Sequence, residues 1–147
     1  MTDGEPPGPS LVTSTTMLLI GVGRVAQRRF DEALAEHGLT LRHVGALGHL
    51  AHAPDLSYSD LARRAGITVQ SMHATIAALV ERGAISAADT GRGQRAQLRL
   101  TEHGRALLAT AAAIAHELDA SWDLDDVDLS PLRTVLLDTV RSRSTRG

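Results

Sequence analysis

Residues Ser57 to Ile85 read SYSDLARRAGITVQSMHATIAALVERGAI, and Ser86 to Gly104 continue SAADTGRGQRAQLRLTEHG. The first part holds two short helical patterns joined by a tight turn at Ala65-Gly66-Ile67. Ser57 with Asp60 fits a capping pattern ahead of a helix from Tyr58 to Ala65. Thr68 caps the next helix, which is predicted to run to Arg82 and stop at Gly83. Two strand-like runs follow, Ile85 to Ala88 and Ala96 to Leu100, in which Ala96, Leu98 and Leu100 alternate with Gln97 and Arg99. They flank a Gly-Arg-Gly-Gln-Arg tip. A helix-turn-helix followed by a basic hairpin is the layout of a winged helix, in which one helix enters the DNA major groove and the wing grips the flanking backbone.

Working outward, residues 1–9 carry Gly, Pro and acidic side chains without apolar periodicity and read as a disordered tail. A long helix is predicted from Ser10 to Glu36, with Leu19, Val22, Ala26, Phe30 and Ala33 on one stripe and Gly38 as its stop. Thr40 caps a second helix in which Leu41, Val44, Leu47 and Ala51 share a face; Pro54 ends it. Beyond the wing, Thr101 caps a helix with Leu107, Ala111, Ile114 and Leu118 in register. An acidic loop from Trp122 to Ser130 leads to a last helix, Pro131 to Arg141, carrying Leu132, Val135, Leu136 and Val140.

The expected fold is therefore mainly α with a small β-hairpin wing. A single winged helix-turn-helix domain spans 10–147, with a DNA-binding lobe at 40–101 between long N- and C-terminal helices (10–37 and 102–147). Those terminal helices carry more apolar surface than so small a lobe needs for its own core, and helix-turn-helix proteins usually pair so that their two-fold matches a palindrome. A homodimer is the expectation.

Composition narrows the function. The 147 residues include no cysteine, which excludes disulfides and thiolate metal sites. All 15 basic residues are arginine, and the net charge is -2. That balance is uneven: seven arginines face four acids between Ser57 and Arg105, whereas seven acids face Arg133 alone between Glu117 and Asp138. A local basic face suffices to engage phosphates, because fields act over about a Debye length, roughly 10 Å. The N-terminus lacks the positive region of a secretory signal, and the apolar stretch Met17 to Val22 is too short to span a bilayer. A cytoplasmic protein is expected.

On the reading helix (68–82), turning Met72, Ile76, Leu79 and Val80 inward leaves Gln70, Ser71, Ala74, Ala77, Ala78 and Glu81 outward, with His73 and Thr75 on the flanks. Gln70 can pair bidentately with adenine, Ser71 can meet either kind of base edge, and His73 can reach a base or phosphate. The alanines permit close approach and contact with thymine methyls. In the wing (86–100), Arg92 and Arg95 at the tip suit a phosphate or the minor groove, and Arg99 adds a phosphate contact. Ser57, Thr68, Gln70, Ser71, His73, Ala74, Arg92, Arg95 and Arg99 are the candidate DNA contacts.

LARRAGITVQSMHATIAALVERGAI, followed by the wing and RLTEHGRALL, resembles the MarR family of bacterial transcription regulators. Leu61-Ala62, Gly66-Ile67, Glu81-Arg82-Gly83 and Leu100-Thr101 with Gly104 are its most specific pieces, and the flanking helices match that family's dimerisation region. The resemblance implies a winged-helix homodimer, a repressor on a palindromic operator, often released by a small ligand bound between the DNA-binding and dimer regions. Arg42 and His43 are the candidate pocket residues on that basis. The chain departs from the family at Ala74, where a basic residue is common, and at the wing tip, where Gly-Arg-Gly-Gln-Arg replaces Asp-x-Arg.

Other chemistries find little support. His49 and His52 lie one helical turn apart, and His103 and His116 could approach, but the pairings of strong metal motifs are absent. No metal or cofactor is expected. There is no nucleophile elbow, phosphate-binding Gly loop or metalloprotease pair, and the acids at Asp123 to Asp128 read as a solvated linker, so no enzyme is expected. The rival reading is a winged-helix protein-interaction module without sequence-specific DNA binding, suggested by the alanine face of the reading helix and the acidic pI.

Overall fold

The computed structural model describes residues 8, 10–88, 97–122 and 128–144. The order is α1 (Thr15–Ala35), α2 (Leu41–His52), α3 (Tyr58–Ala65), α4 (Val69–Glu81), β1 (Ile85–Ala88), β2 (Gln97–Leu100), α5 (Glu102–Ser121) and α6 (Ser130–Ser144). The chain forms two compact units, Met1–Ile114 and Ala115–Gly147. Among the described residues no helix is long and apolar enough to cross a membrane.

Local chemistry sets the helix boundaries. α1 begins at Thr15 rather than Ser10, because Ser14 holds an extended backbone and its hydroxyl accepts the Met17 N–H at 3.2 Å. Thr40 caps α2 in a reciprocal box in which its Oγ1 accepts the His43 N–H (3.3 Å) and His43 Nδ1 accepts the Thr40 N–H (3.2 Å). Ser57 and Asp60 form a second such box at α3. Gly66, at φ +66°, ends α3 in the left-handed conformation that a side chain would strain.

The core of the first unit joins Ala46, Leu47 and Leu50 of α2, Leu61 and Ala62 of α3, Met72, Ile76 and Leu79 of α4, Ala84, Ile85 of β1 and Leu98 of β2. Three predicted faces need correcting. In α2 the buried side is Ala46, Leu47 and Leu50, whereas Leu41 and Ala51 are exposed. In α4 the fourth inward residue is Thr75, 7 % exposed, and Val80 is 37 % exposed. Residues 72, 75, 76 and 79 follow the i, i+3, i+4, i+7 stripe, and Val80, at i+8, stands at its outer edge. Thr75 tolerates burial because its Oγ1 donates to the Ser71 carbonyl at 2.9 Å. In α1, Leu19 and Val22 of the predicted stripe are exposed, and Leu34 is the buried residue. The periodicity sets the phase of an apolar face, but among the described residues that end of α1 stays exposed.

The strands pair antiparallel with Ile85 opposite Leu100 and Ala88 opposite Gln97. Thr101 locks the hairpin base. Its N–H donates to the Ala84 carbonyl (3.1 Å), its Oγ1 donates to the Gly83 carbonyl (2.6 Å), and the same Oγ1 accepts the Gly104 N–H (3.0 Å). Gly104 is buried there, and a Cβ at this position would lie 2.1 Å from the Ala84 carbonyl oxygen.

Candidate nucleic-acid interface

The reading end of α4 is built by its cap. Thr68 Oγ1 accepts the Ser71 N–H at 3.1 Å and donates to Ser71 Oγ at 2.9 Å, so the Ser71 hydroxyl keeps its own proton for an outside acceptor. Val69, Gln70, His73, Ala74 and Ala77 are exposed, and Ser71 and Ala78 are half-buried. With the apolar stripe turned into the core, this face carries small alanines and the polar Gln70, Ser71 and His73, with Val69 exposed at its start. The unfilled backbone N–H groups at its N-terminal end favour an approaching anion.

His73 sits differently from a free flank residue. Its ring stacks on Tyr58 of α3, centroids 4.0 Å apart and planes 14° from parallel. The stack limits the ring to one side of the face and makes Tyr58 part of its support, a role the sequence analysis missed. Spacing alone could not reveal it, because the two residues lie on helices joined by a turn whose angle is a tertiary property.

Ser57 is committed locally: its Oγ donates to Asp60 Oδ2 at 2.7 Å and accepts the Asp60 N–H at 3.1 Å. Arg63 Nη2 donates to Asp60 Oδ1 at 3.0 Å, on the exposed side of α3. Arg99 is exposed on β2, and its carbonyl accepts from Ser86 Oγ at 3.4 Å. Arg92 and Arg95 lie outside the described residues. The structure thus brings Thr68, Gln70, Ser71, His73 and Ala74 to one surface, and gives Ser57 the part of a cap.

A cleft of about 720 Å³ opens beside this head, lined by Gln27 and Asp31 of α1, by Thr40, Leu41, Arg42, Gly45 and His49 around α2, and by Arg64, Ala65 and Ile67 at the helix-turn-helix turn. Of the two candidate pocket residues, Arg42 lines this cleft and His43 is not among its lining residues. His43 is held in the α2 capping box, and its pKa is lowered from the ordinary 6.5 by burial and then by the Arg82 charge. His49 is lowered too, by burial first, then by Arg64 and His52. Gln27, Asp31 and Arg64 escaped the sequence reading, and His49 was weighed there only as a metal ligand, because nothing in a linear pattern brings residues of α1 to the end of α3. Among the described residues no group of three or more His, Cys, Asp or Glu could hold a metal ion.

Comparison with known proteins accords with this geometry. The sequence profile of the MarR family matches residues 37–96. The chain is 36 % identical over 104 residues to the HTH-type transcriptional repressor Rv2887 of Mycobacterium tuberculosis, covering 70 % of this chain and 75 % of the relative. The crystal structure of that MarR family protein in complex with DNA superposes with a TM-score of 0.74 at 30 % identity, covering 86 % of this chain and 98 % of the other. Its complex with salicylic acid superposes with a TM-score of 0.67 at 29 % identity, covering 88 % and 96 %.

Proposed function

This chain belongs to the MarR family of transcriptional regulators, and on that premise we propose that it is a homodimeric repressor reading a palindromic operator with α4. The observation that carries the reading is the exposed, Thr68-capped face of Gln70, Ser71 and Ala74, on a helix whose other side is sealed in the core. Gln70 reads a base edge, Ser71 and His73 contact bases or phosphates, and Arg99 with Arg92 and Arg95 holds the flanking backbone. No catalytic activity is assigned.

The apolar residues left exposed on α1 (Met17, Leu18, Leu19, Ile20, Val22 and Val25), and on α6, support pairing with a second copy. The cleft supports an effector. Arg42, Arg64 and His49 supply cationic or donor groups beside Leu41 and Ile67, a combination that suits a small aromatic acid. Ile67 adjoins the Thr68 cap, so a ligand there bears directly on the start of α4.

The test is a salt-titrated binding assay on duplexes that the wild-type protein selects from a randomised pool, with and without salicylate. Selection of a palindrome, and its release by salicylate in wild type but not in Arg42→Ala, is the expected result. If no duplex is enriched at moderate salt, the DNA-reading assignment fails and the protein-interaction module takes its place.

A further inference from the structure

Arg82 stands at the C-cap of α4, twelve positions from Gln70 and at the opposite end from the bases. Its guanidinium reaches back across the sequence to the turn between α1 and α2. Nη1 donates to the Gly38 carbonyl, and Nη2 donates to the His37 carbonyl at 3.2 Å. We propose that Arg82 is a positioning residue that sets the angle of the reading helix by clamping its far end to the α1–α2 turn.

Four features make the clamp stiff. The acceptors are main-chain carbonyls rather than mobile side chains. The turn that carries them is fixed on both sides by buried residues, Leu34 at 0 % and Leu39 at 2 % exposure, and the Leu34 carbonyl accepts both the His37 and Leu39 N–H groups (2.9 and 3.0 Å). A cation at this place also complements the negative end of the α1 dipole. The planar guanidinium, donating to two acceptors at once, restrains orientation as well as distance, which an ammonium does not.

Lever geometry turns this into specificity. Twelve residues at about 1.5 Å each put Gln70 roughly 18 Å from the clamp, so a tilt of about 5° moves it by about 1.5 Å. Hydrogen bonds to bases tolerate only about 0.5 Å, whereas attraction to phosphates decays over roughly 10 Å. A mis-aimed α4 therefore loses base reading while keeping general affinity for DNA. That signature separates a clamp from a phosphate contact, in which the same arginine would serve all sequences alike.

The inference rests on the DNA-reading assignment, and the test keeps the two apart. Arg82→Ala and Arg82→Lys are compared with wild type on the selected duplex and on poly(dI-dC), with salt titration and a thermal melt. The expected result for Arg82→Ala is a loss of about tenfold or more on the selected duplex, with poly(dI-dC) binding and the salt slope unchanged. Arg82→Lys, which keeps the charge but places its donors on one nitrogen instead of a planar fork, should remain folded and recover only part of the selected-duplex affinity. Equal losses on both DNAs with the slope reduced by about one would make Arg82 a phosphate contact and overturn the clamp. Unchanged selected-duplex affinity in both variants would also overturn it. If wild type itself enriches no duplex, the DNA-reading assignment falls, and this inference with it.

Discussion

α4 and α6 are both short helices with repeated apolar residues, yet their environments are opposite. In α4, Met72, Ile76 and Leu79 are fully buried among α2, α3 and β1. In α6 none of the residues with described burial is buried, and Val135 and Val140 are 61 % and 64 % exposed. The reading head closes its core within one chain; α6 presents apolar surface that its own unit leaves open. Apolar content therefore measures how much surface wants covering, and not whether the chain itself covers it. The first situation suits a rigid reader, and the second leaves the surface proposed above to meet a second copy.

The comparison is broken most directly in the head. Leu79→Ala should cost about 2–5 kcal/mol, since it removes a fully buried side chain from a closed core, and urea denaturation will read the loss. Gly104→Ala should cost about 1–3 kcal/mol or more, because the new Cβ meets a backbone carbonyl that Thr101 already holds in place. If Gly104→Ala melted like wild type, the hairpin base would be looser than described.

On the α6 side the expected effect is on assembly rather than folding. Val135→Glu with Val140→Glu should shift sedimentation from dimer to monomer while the head keeps its helical circular dichroism. A wild-type protein that sediments as a monomer at micromolar concentration would remove the contrast between the two helices. Within the head, Gln70→Ala should weaken the selected duplex by about 1–3 kcal/mol and random DNA little. The Arg92→Ala and Arg95→Ala changes should weaken both and lower the salt slope by about one each.

The smallest effect concerns pH. His43 and His49 have folded pKa values lowered below 6.5, so the folded protein holds them neutral where the unfolded chain begins to protonate. Stability should be fully present above about pH 6.5 and fall as the pH drops through the lowered values. His43→Gln keeps an acceptor for the Thr40 N–H without titrating, so its denaturation midpoint should vary less with pH than that of wild type. Equal pH dependence in the two proteins would assign the effect elsewhere.

Much of the head was legible because its signals are local. The Ser57, Thr68 and Thr101 caps, the Gly66 turn and the alternation at Leu98 and Leu100 each depend on neighbours a few residues away, and helices and strands formed where those signals stand. The candidate site was legible only where exposure follows from helix phase, as at Gln70 and Ala74. Even there the phase slipped at its edge, exchanging Thr75 for Val80, since the two stand at opposite edges of the inner stripe and a small rotation of the helix exchanges them.

By itself, then, the sequence determined which segments become helix or strand, where α2, α3, α4 and α5 are capped, and which face of α4 turns outward, because those outcomes arise from interactions within one or two turns. Only the tertiary structure decided that His73 leans on Tyr58, that Gln27, Arg42 and Arg64 share a cleft, and that Arg82 holds the turn at His37 and Gly38. Those contacts join residues up to 45 positions apart, and their existence depends on the angles at which helices pack, which no short-range periodicity encodes.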